Sequence, residues 1–152
     1  INNLVEIKIN IAEHLIKGLK KLRGITTPKI PNNFTHSYYV LPLVLDVKEI
    51  GIDRKTVTEA LIAEGVPIGS GYQNIHMLPI YQHKIAYGDS GFPWSYKDTR
   101  KTISYKKGIC PIAEELHEKT FFFIPICSYE LFEGDADKII EAFNKVWQNF
   151  GI

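Results

Sequence analysis

Apolar residues recur with helical spacing at both ends of the chain. Near the N-terminus, residues 1–22 place them along one side of a helix, at Leu4, Ile11, Leu15, Leu19 and Leu22. Near the C-terminus the same spacing runs from Asp135 to Phe150, and Gly151 follows as a helix terminator. A one-sided apolar stripe indicates a helix that packs on a core, so both segments are predicted to be amphipathic helices.

Two further helices are predicted between these. Asp53 is a capping residue for a helix that reaches Glu64, Ile52 and Val57 are spaced as a hydrophobic staple around it, and Gly65 ends it. A third helix is predicted to start at Pro111, with Glu114 and Glu115 in its opening turn.

Three segments read as strands. The run 36–46 is rich in β-formers, but Pro42 predicts an edge or bulged strand. Residues 66–71 form a second short strand, and 121–124 a buried one, while the proline-containing segment 26–33 is predicted to be a connector. Helices alternating with short strands indicate an α/β (α+β) sandwich.

Composition narrows the class of protein. The 152 residues carry a formal net charge of +1, with 45% hydrophobic and 23% charged residues. That balance does not indicate a nucleic-acid partner. No apolar run approaches the roughly 18 residues of a membrane span, so we expect no membrane partner and a cytoplasmic location.

The cysteines and histidines do not suggest a metal site. Cys110 and Cys127 form no Cys-x-x-Cys motif and lie beside apolar residues, so they are predicted to be buried thiols. The five histidines include no i, i+4 pair on a helix. No metal ligand is assigned.

The start of the sequence is unusual. It begins at Ile1, and its only methionine is Met77, so we interpret the chain as cut from a longer product within or just before the first helix. Trimming of an initiator methionine is the alternative.

The segment 65–81 is the strongest functional candidate. Gly69 and Gly71 bracket Ser70, and Tyr72 and His76 follow with polar groups on flat rings. Such a mixture suits a polyhydroxylated ligand; an ordinary strand-to-loop transition is the alternative. The irregular stretch from 81 to 108 is predicted to be functional or mobile.

Four segments together resemble the C-terminal domain of the DegT/StrS family of pyridoxal-phosphate sugar aminotransferases, in order and spacing. They are His36-Ser37-Tyr38, the helix end and loop from Glu64 to Tyr81, the run Cys110 to Glu115, and Pro125 with Gly134-Asp135 and Lys145-Val146. One departure is Gly71, where many members carry a histidine before the tyrosine.

The resemblance implies the small domain of an aspartate-aminotransferase-like (type I) fold, a short, mainly antiparallel sheet with helices packed on it. Residues 1–33 would be a linking helix and connector from a missing large domain, and 34–152 the small domain. That large domain would supply the cofactor lysine and most of the pyridoxal 5'-phosphate site. The pattern Ser104-x-x-Lys107 lies in a basic run and is interpreted as solvated charge. The chain alone is predicted to hold no catalytic residue and to be inactive.

The resemblance also implies a role in binding a small-molecule sugar substrate. The residues assigned to it are Ser70, Gly71, Tyr72, His76 and Trp94. His76 would hydrogen-bond a hydroxyl or phosphate, or satisfy a backbone carbonyl within the domain. Trp94 would stack on a sugar or base, or cover a dimer contact. His36 and Tyr38 are interpreted as structural.

The full enzyme implied by the resemblance is a homodimer that aminates a keto sugar, typically nucleotide-linked, or a related cyclitol, with glutamate or glutamine as donor. A sugar dehydratase of the same family is the nearest alternative. A stand-alone ligand-binding module is the alternative from a different class.

Overall fold

A computed structural model describes residues 2–96 and 103–152. The chain divides into two compact units. Unit 1 contains the residues up to Gly71 together with Lys119–Ile152, and unit 2 is Tyr72–Glu118. The described strands are β1 Ile25–Thr26, β2 Leu41–Leu45, β3 Gly69–Ser70 and β4 Phe121–Ile124. The described α-helices are α1 Asn2–Leu19, α2 Val47–Ile50, α3 Arg54–Ala63, α4 Pro79–Gln82, α5 Pro111–Glu115 and α6 Glu133–Phe150.

Unit 1 is built on a four-stranded sheet with the order β1-β2-β4-β3, in which every pairing is antiparallel. Leu43 on β2 lies opposite Phe122 on β4, and both side chains are fully buried. Alternate residues of β2 point into the core, as expected for a strand with one covered face. The predicted fold class, helices packed on a short antiparallel sheet, is confirmed.

Strand β2 is an interior strand, so the prediction of an edge strand from Pro42 was wrong. Pro42 pairs with Phe123 on β4, but β1 covers only Val44 and Leu45 on the other side of β2. Pro42 therefore lies beyond the end of β1. Because the described sheet has no ladder partner on that side, a residue without an N–H is tolerated there.

Two long helices supply much of the core of unit 1. The second half of α1 buries Ile11, Leu15 and Leu19, whereas Leu4 is exposed, so the predicted apolar stripe is buried only in part. Helix α6 packs against α1 and buries Phe143 and Trp147. No described helix has the length and apolar character needed to cross a membrane.

The predicted limits of α3 are confirmed. The Asp53 carboxylate accepts hydrogen bonds from the Thr56 amide at 3.0 Å and the Thr56 hydroxyl at 2.6 Å, and these bonds lower the pKa of Asp53. Gly65 follows the end of the helix with φ +88°. Gly151 likewise ends α6 in a left-handed conformation, as predicted.

Both cysteines are exposed, so the prediction of buried thiols was wrong. Cys110 directly precedes α5, and Cys127 lies in the 3₁₀ turn Ile126–Ser128. The apolar neighbours that suggested burial of Cys110 are themselves exposed, with Ile109 at 44% and Ile112 at 77%. Apolar neighbours in the sequence did not mark a buried position here, because these residues lie in or beside a loop.

Unit 2 has little regular structure. Besides α4 and α5 it contains the 3₁₀ turn Ile75–Met77, and π-helical hydrogen bonding follows α5 over Leu116–Thr120. An isolated bridge joins Tyr87 and Phe92. The predicted basic run falls partly on residues 97–102, which lie outside the described residues.

Candidate functional site

Unit 2 contains one buried carboxylate among its described residues, that of Glu114. Glu114 is only 6% exposed, and among the described residues only Thr58 is a comparably buried polar side chain. The Gly108 amide donates to both carboxylate oxygens of Glu114 at 2.8 Å, and the Cys110 amide donates to Oε1 at 3.3 Å. The ring nitrogen Nε2 of His76 lies 2.9 Å from the same Oε1. We call these four residues the Glu114 cluster.

The start of α5 explains how Glu114 reaches these partners. Pro111 occupies the first helical turn, and the Glu114 amide donates to the Cys110 carbonyl at 2.9 Å. The Glu114 side chain folds back over this turn and accepts from the amides of Cys110 and Gly108. Amides that precede a helix have no partner within it, so a carboxylate placed there satisfies them.

The electrostatics of the Glu114 cluster favour an ionised carboxylate. Burial raises the pKa of Glu114, but the hydrogen bonds from Gly108, Cys110 and His76 lower it, and the net pKa lies below the ordinary value of 4.5. At neutral pH the Glu114 carboxylate is therefore an acceptor only. It follows that His76 Nε2 carries the proton of the 2.9 Å bond.

The turn that carries His76 is held in place by Gln82. Its side-chain nitrogen donates to the His76 carbonyl and to the Tyr105 carbonyl, both at 2.6 Å. The His76 side chain is 10% exposed. The partner of the His76 ring within the chain is the Glu114 carboxylate and not the predicted backbone carbonyl, and the bond to a ligand stays a prediction.

Trp94 belongs to an aromatic group in unit 2. Its indole N–H donates to the Ile85 carbonyl at 2.8 Å, and its ring meets those of Tyr81 and Tyr105 edge-on, with centroids 6.0 and 5.7 Å away. Tyr81 and Tyr105 also line a cavity of about 410 Å³ with Gln82, Lys84 and residues 103–106. The indole N–H of Trp94 is therefore already committed to the protein.

Tyr72 has a half-exposed side chain, and its amide donates to His117 Nδ1 at 2.9 Å. His117 also lines a second cavity in unit 2, of about 330 Å³, together with residues 73, 74, 77–79 and 118. The bond from the Tyr72 amide to His117 joins the first residue of unit 2 to a residue next to its last.

Ser70 and Gly71 lie in unit 1, at the end of β3. Ser70 pairs with Phe122 and is exposed, and the Gly71 amide donates to the Phe121 carbonyl at 3.1 Å. Gly71 has φ +70°, in the left-handed region that glycine adopts more readily than other residues. The boundary between the units falls directly after Gly71.

His36 and Tyr38 contact each other just before β2. The Tyr38 amide donates to His36 Nδ1 at 2.9 Å, the two rings lie 4.4 Å apart, and Tyr38 is 2% exposed. These contacts are internal to unit 1.

The lysines described here do not fit a cofactor site. Lys107 is exposed and contacts the Glu118 carboxylate, whose hydrogen bond and charge raise the pKa of Lys107. A lysine that bonds covalently to an aldehyde must lose its proton, which a raised pKa opposes. None of the described lysines is buried. Within the described residues no cluster of metal-ligating side chains occurs either.

Glu114 is part of the sequence motif Cys110 to Glu115 but was assigned no role in the site from the sequence. Its position in the opening turn of α5 suggested only an interaction with the helix dipole. Its partner His76 is 38 residues away, and no local pattern connects the two.

The fold is that of part of an aminotransferase. The crystal structure of the aminotransferase TlmJ from Streptoalloteichus hindustanus superposes with a TM-score of 0.65 at 20% identity, covering 97% of this chain and 33% of that one. The model of the DegT/DnrJ/EryC1/StrS aminotransferase family matches residues 1–108. The chain belongs to this family, which confirms the resemblance seen in the motifs.

Two curated relatives are similar over much of the chain. The uncharacterized protein MJ1066 of Methanocaldococcus jannaschii is 26% identical over 136 residues, which are 90% of this chain and 30% of that protein. The spore coat polysaccharide biosynthesis protein SpsC of Bacillus subtilis is 24% identical over 95 residues, covering 62% of this chain and 24% of SpsC. The chain thus spans less than a third of the length of either relative.

Proposed function

We propose that this chain is the small C-terminal domain of a longer pyridoxal-phosphate-dependent aminotransferase that aminates a keto sugar. The family match over residues 1–108 carries the proposal. The similarity to a spore coat polysaccharide biosynthesis protein supports a sugar-type substrate, and a nucleotide-linked sugar or a cyclitol fits the same chemistry. Residues 34–152 form the domain in this proposal, and residues 1–33 connect it to the large domain.

The cofactor lysine belongs, in this proposal, to the part of the protein outside this sequence. Pyridoxal phosphate, when bound, withdraws electrons from the carbon that carries the amino group. The exposed, ion-paired Lys107 does not suit that role, and the described chain offers no buried lysine in its place. The contribution of this chain is to bind and orient the sugar.

We assign sugar binding to the segment from Ser70 to His76. Ser70 and the Tyr72 side chain are exposed and carry hydroxyl groups that bind sugar hydroxyls well. His76 adds a ring nitrogen that is held in a fixed direction by the Glu114 cluster. Trp94 contributes an aromatic ring rather than its N–H, which the Ile85 carbonyl already accepts. A homodimer of the longer protein is part of the same proposal.

The test compares two proteins from the source gene, the 152-residue chain and the complete open reading frame. Each is mixed with pyridoxal phosphate, glutamate or glutamine, and a panel of nucleotide-linked keto sugars, and amino-sugar formation is followed by mass spectrometry. We expect product from the longer protein and none from the chain. Elimination of water from the sugar without amino transfer, or turnover by the chain alone, would refute the proposal.

A further inference from the structure

One ring nitrogen of His76 is used within unit 2 and the other is available. Nε2 is bonded to the Glu114 carboxylate, and no described residue bonds to Nδ1. Among the described residues, no buried side-chain nitrogen or oxygen lacks a partner. Nδ1 therefore reaches solvent, although the His76 side chain as a whole is only 10% exposed.

The Glu114 cluster determines whether Nδ1 of His76 donates or accepts a hydrogen bond. An ionised carboxylate can only accept, so the shared proton sits on Nε2, and in the neutral ring Nδ1 then holds a lone pair. An acceptor of this kind recognises a hydrogen-bond donor. Among the groups of a phosphorylated sugar, hydroxyls can donate, whereas fully ionised phosphate oxygens cannot.

We propose that Glu114 is a positioning residue that fixes the proton of the neutral His76 ring on Nε2, so that in this form Nδ1 accepts a hydrogen bond from a ligand hydroxyl. The direction of the ring is set from two sides. The Gly108 and Cys110 amides hold the carboxylate, and the Gln82 side chain holds the backbone of the His76 turn at 2.6 Å. The identity of the ligand as the sugar substrate rests on the proposed function.

The proton assignment is tested without any substrate, by NMR of the 152-residue chain with ¹⁵N-labelled histidine at pH 8. We expect a resolved Nε2–H signal from His76, because the bond to a carboxylate slows its exchange with water. Exposed His83 serves as the reference for a ring without such a bond. A proton on Nδ1 of His76, or no resolved signal, would overturn the proposal.

Variants of Glu114 test the positioning role. In Glu114→Ala the Nε2–H signal should vanish, and the Tyr72 amide, bonded to His117, reports whether unit 2 remains folded. If the Tyr72 amide signal is also lost, unit 2 has unfolded in Glu114→Ala, and the conservative variant Glu114→Gln is used to test the positioning role instead. A neutral acceptor bonds less strongly than a charged one, so Nε2–H exchange should be about tenfold faster there. The matched control is Glu115→Gln on exposed neighbouring Glu115. Unchanged exchange in Glu114→Gln would overturn the role.

Inorganic sulfate tests the preference for a hydroxyl. Titrated into the chain at pH 8, where the dianion carries no O–H, it should leave the His76 Nδ1 resonance unmoved, because an acceptor-only oxygen has no hydrogen to offer. A saturable shift of that resonance would instead assign His76 to an anionic group and overturn the hydroxyl assignment.

Kinetics of the longer protein provide the functional readout. His76→Ala and Glu114→Ala should each raise KM for the sugar by about tenfold, the loss expected for one hydrogen bond, and leave KM for the amino donor unchanged. The double variant should be no worse than His76→Ala, since the two residues act through one contact. An unchanged sugar KM would overturn the ligand assignment. A longer protein without amino-transfer activity would refute the proposed function but leave the NMR result standing.

Discussion

The side chain of Ile140 on α6 fills the space that a β-carbon on Gly18 of α1 would need. An ideal Cβ at Gly18 would lie 2.6 Å from Ile140 Cδ1 and 2.7 Å from its Cγ1. The missing side chain therefore lets the two long helices of unit 1 approach closely. This packing explains a glycine in the last turn of α1, at the residue before the end of the helix.

The first prediction is that Gly18→Ala destabilises unit 1. Alanine gains at most about 1 kcal/mol of helix propensity over glycine in this last turn of α1, but the methyl overlaps several atoms of Ile140, and overpacking of this kind costs about 1–3 kcal/mol. We expect a net loss of about 1 kcal/mol in the free energy of unfolding, measured by urea denaturation.

The matched control is Gly134→Ala, in the first turn of α6, where an added Cβ meets nothing within 4 Å. That variant should be neutral or gain up to about 1 kcal/mol. In an Ile140→Ala background the cost of Gly18→Ala should disappear. If the two substitutions were additive, the contact would not be the cause.

A second prediction concerns the last pair of strands. Gly69 on β3 lies opposite Phe123 on β4, and a Cβ at Gly69 would lie 2.3 Å from Phe123 Cζ. Gly69→Ala should displace the ring and lower stability by about 1–2 kcal/mol. Most of the loss should be recovered in Gly69→Ala/Phe123→Leu, where the shorter side chain leaves room. Thermal denaturation of the single and double variants measures this, and an unrecovered loss would point to the backbone instead.

The third prediction is a loss of local order in acid. The folded state lowers the pKa of Glu114, so its ionised form stabilises the fold above the ordinary value of 4.5, and this contribution disappears as the pH falls through the lowered folded value. Protection of the Gly108 and Cys110 amides, corrected for intrinsic exchange rates, should therefore fall below pH 4.5. Glu114→Gln should show weaker protection at neutral pH and little change in acid. A pH-independent protection in the wild-type chain would contradict the expectation.

The fourth prediction concerns covalent cofactor attachment. Incubation of the chain with pyridoxal phosphate, followed by borohydride reduction and intact-mass measurement, should give no stoichiometric adduct, because the raised pKa of Lys107 disfavours its reactive neutral form. Lys107→Ala should behave like the wild type. One adduct per chain at a single lysine would contradict both this expectation and the placement of the cofactor lysine elsewhere.

Elements with local signals were predictable from the sequence. Asp53 and Gly65 carry capping chemistry within a few residues of α3. The run Phe121–Ile124 is strand β4 as predicted, although only Phe122 and Ile124 in it are buried. In contrast, β1 has two residues and α2 has four, too few for any periodicity. Strand β1 forms by pairing with β2, which a local pattern does not reveal. Helix α2 has local caps, the Asp46 carboxylate and the left-handed Gly51, but no apolar period to draw attention to them.

The candidate site was predictable only as a stretch of chain. The glycines and aromatic residues from 65 to 81 indicated a functional loop, but the contact between His76 and Glu114 depends on tertiary structure. The interior position of Pro42 was missed for the same reason, since it depends on where β1 ends. The types of side chain in this stretch identified His76 as a candidate. Only the tertiary contact with Glu114 shows that Nε2 is used within the chain and that Nδ1 is not.

Unit 2 interrupts the connection between two adjacent strands. Strands β3 and β4 are antiparallel neighbours, and the Gly71 amide bonds to the Phe121 carbonyl across the point where the chain leaves and re-enters unit 1. In topological terms, residues 72–118 are the long loop of a hairpin formed by β3 and β4. The entropic cost of closing a loop rises only slowly with its length, so a shorter or longer loop would change this cost little. The length of this loop can therefore change at a small cost in closure entropy while the pairing of β3 with β4 and the packing of the two long helices stay as they are.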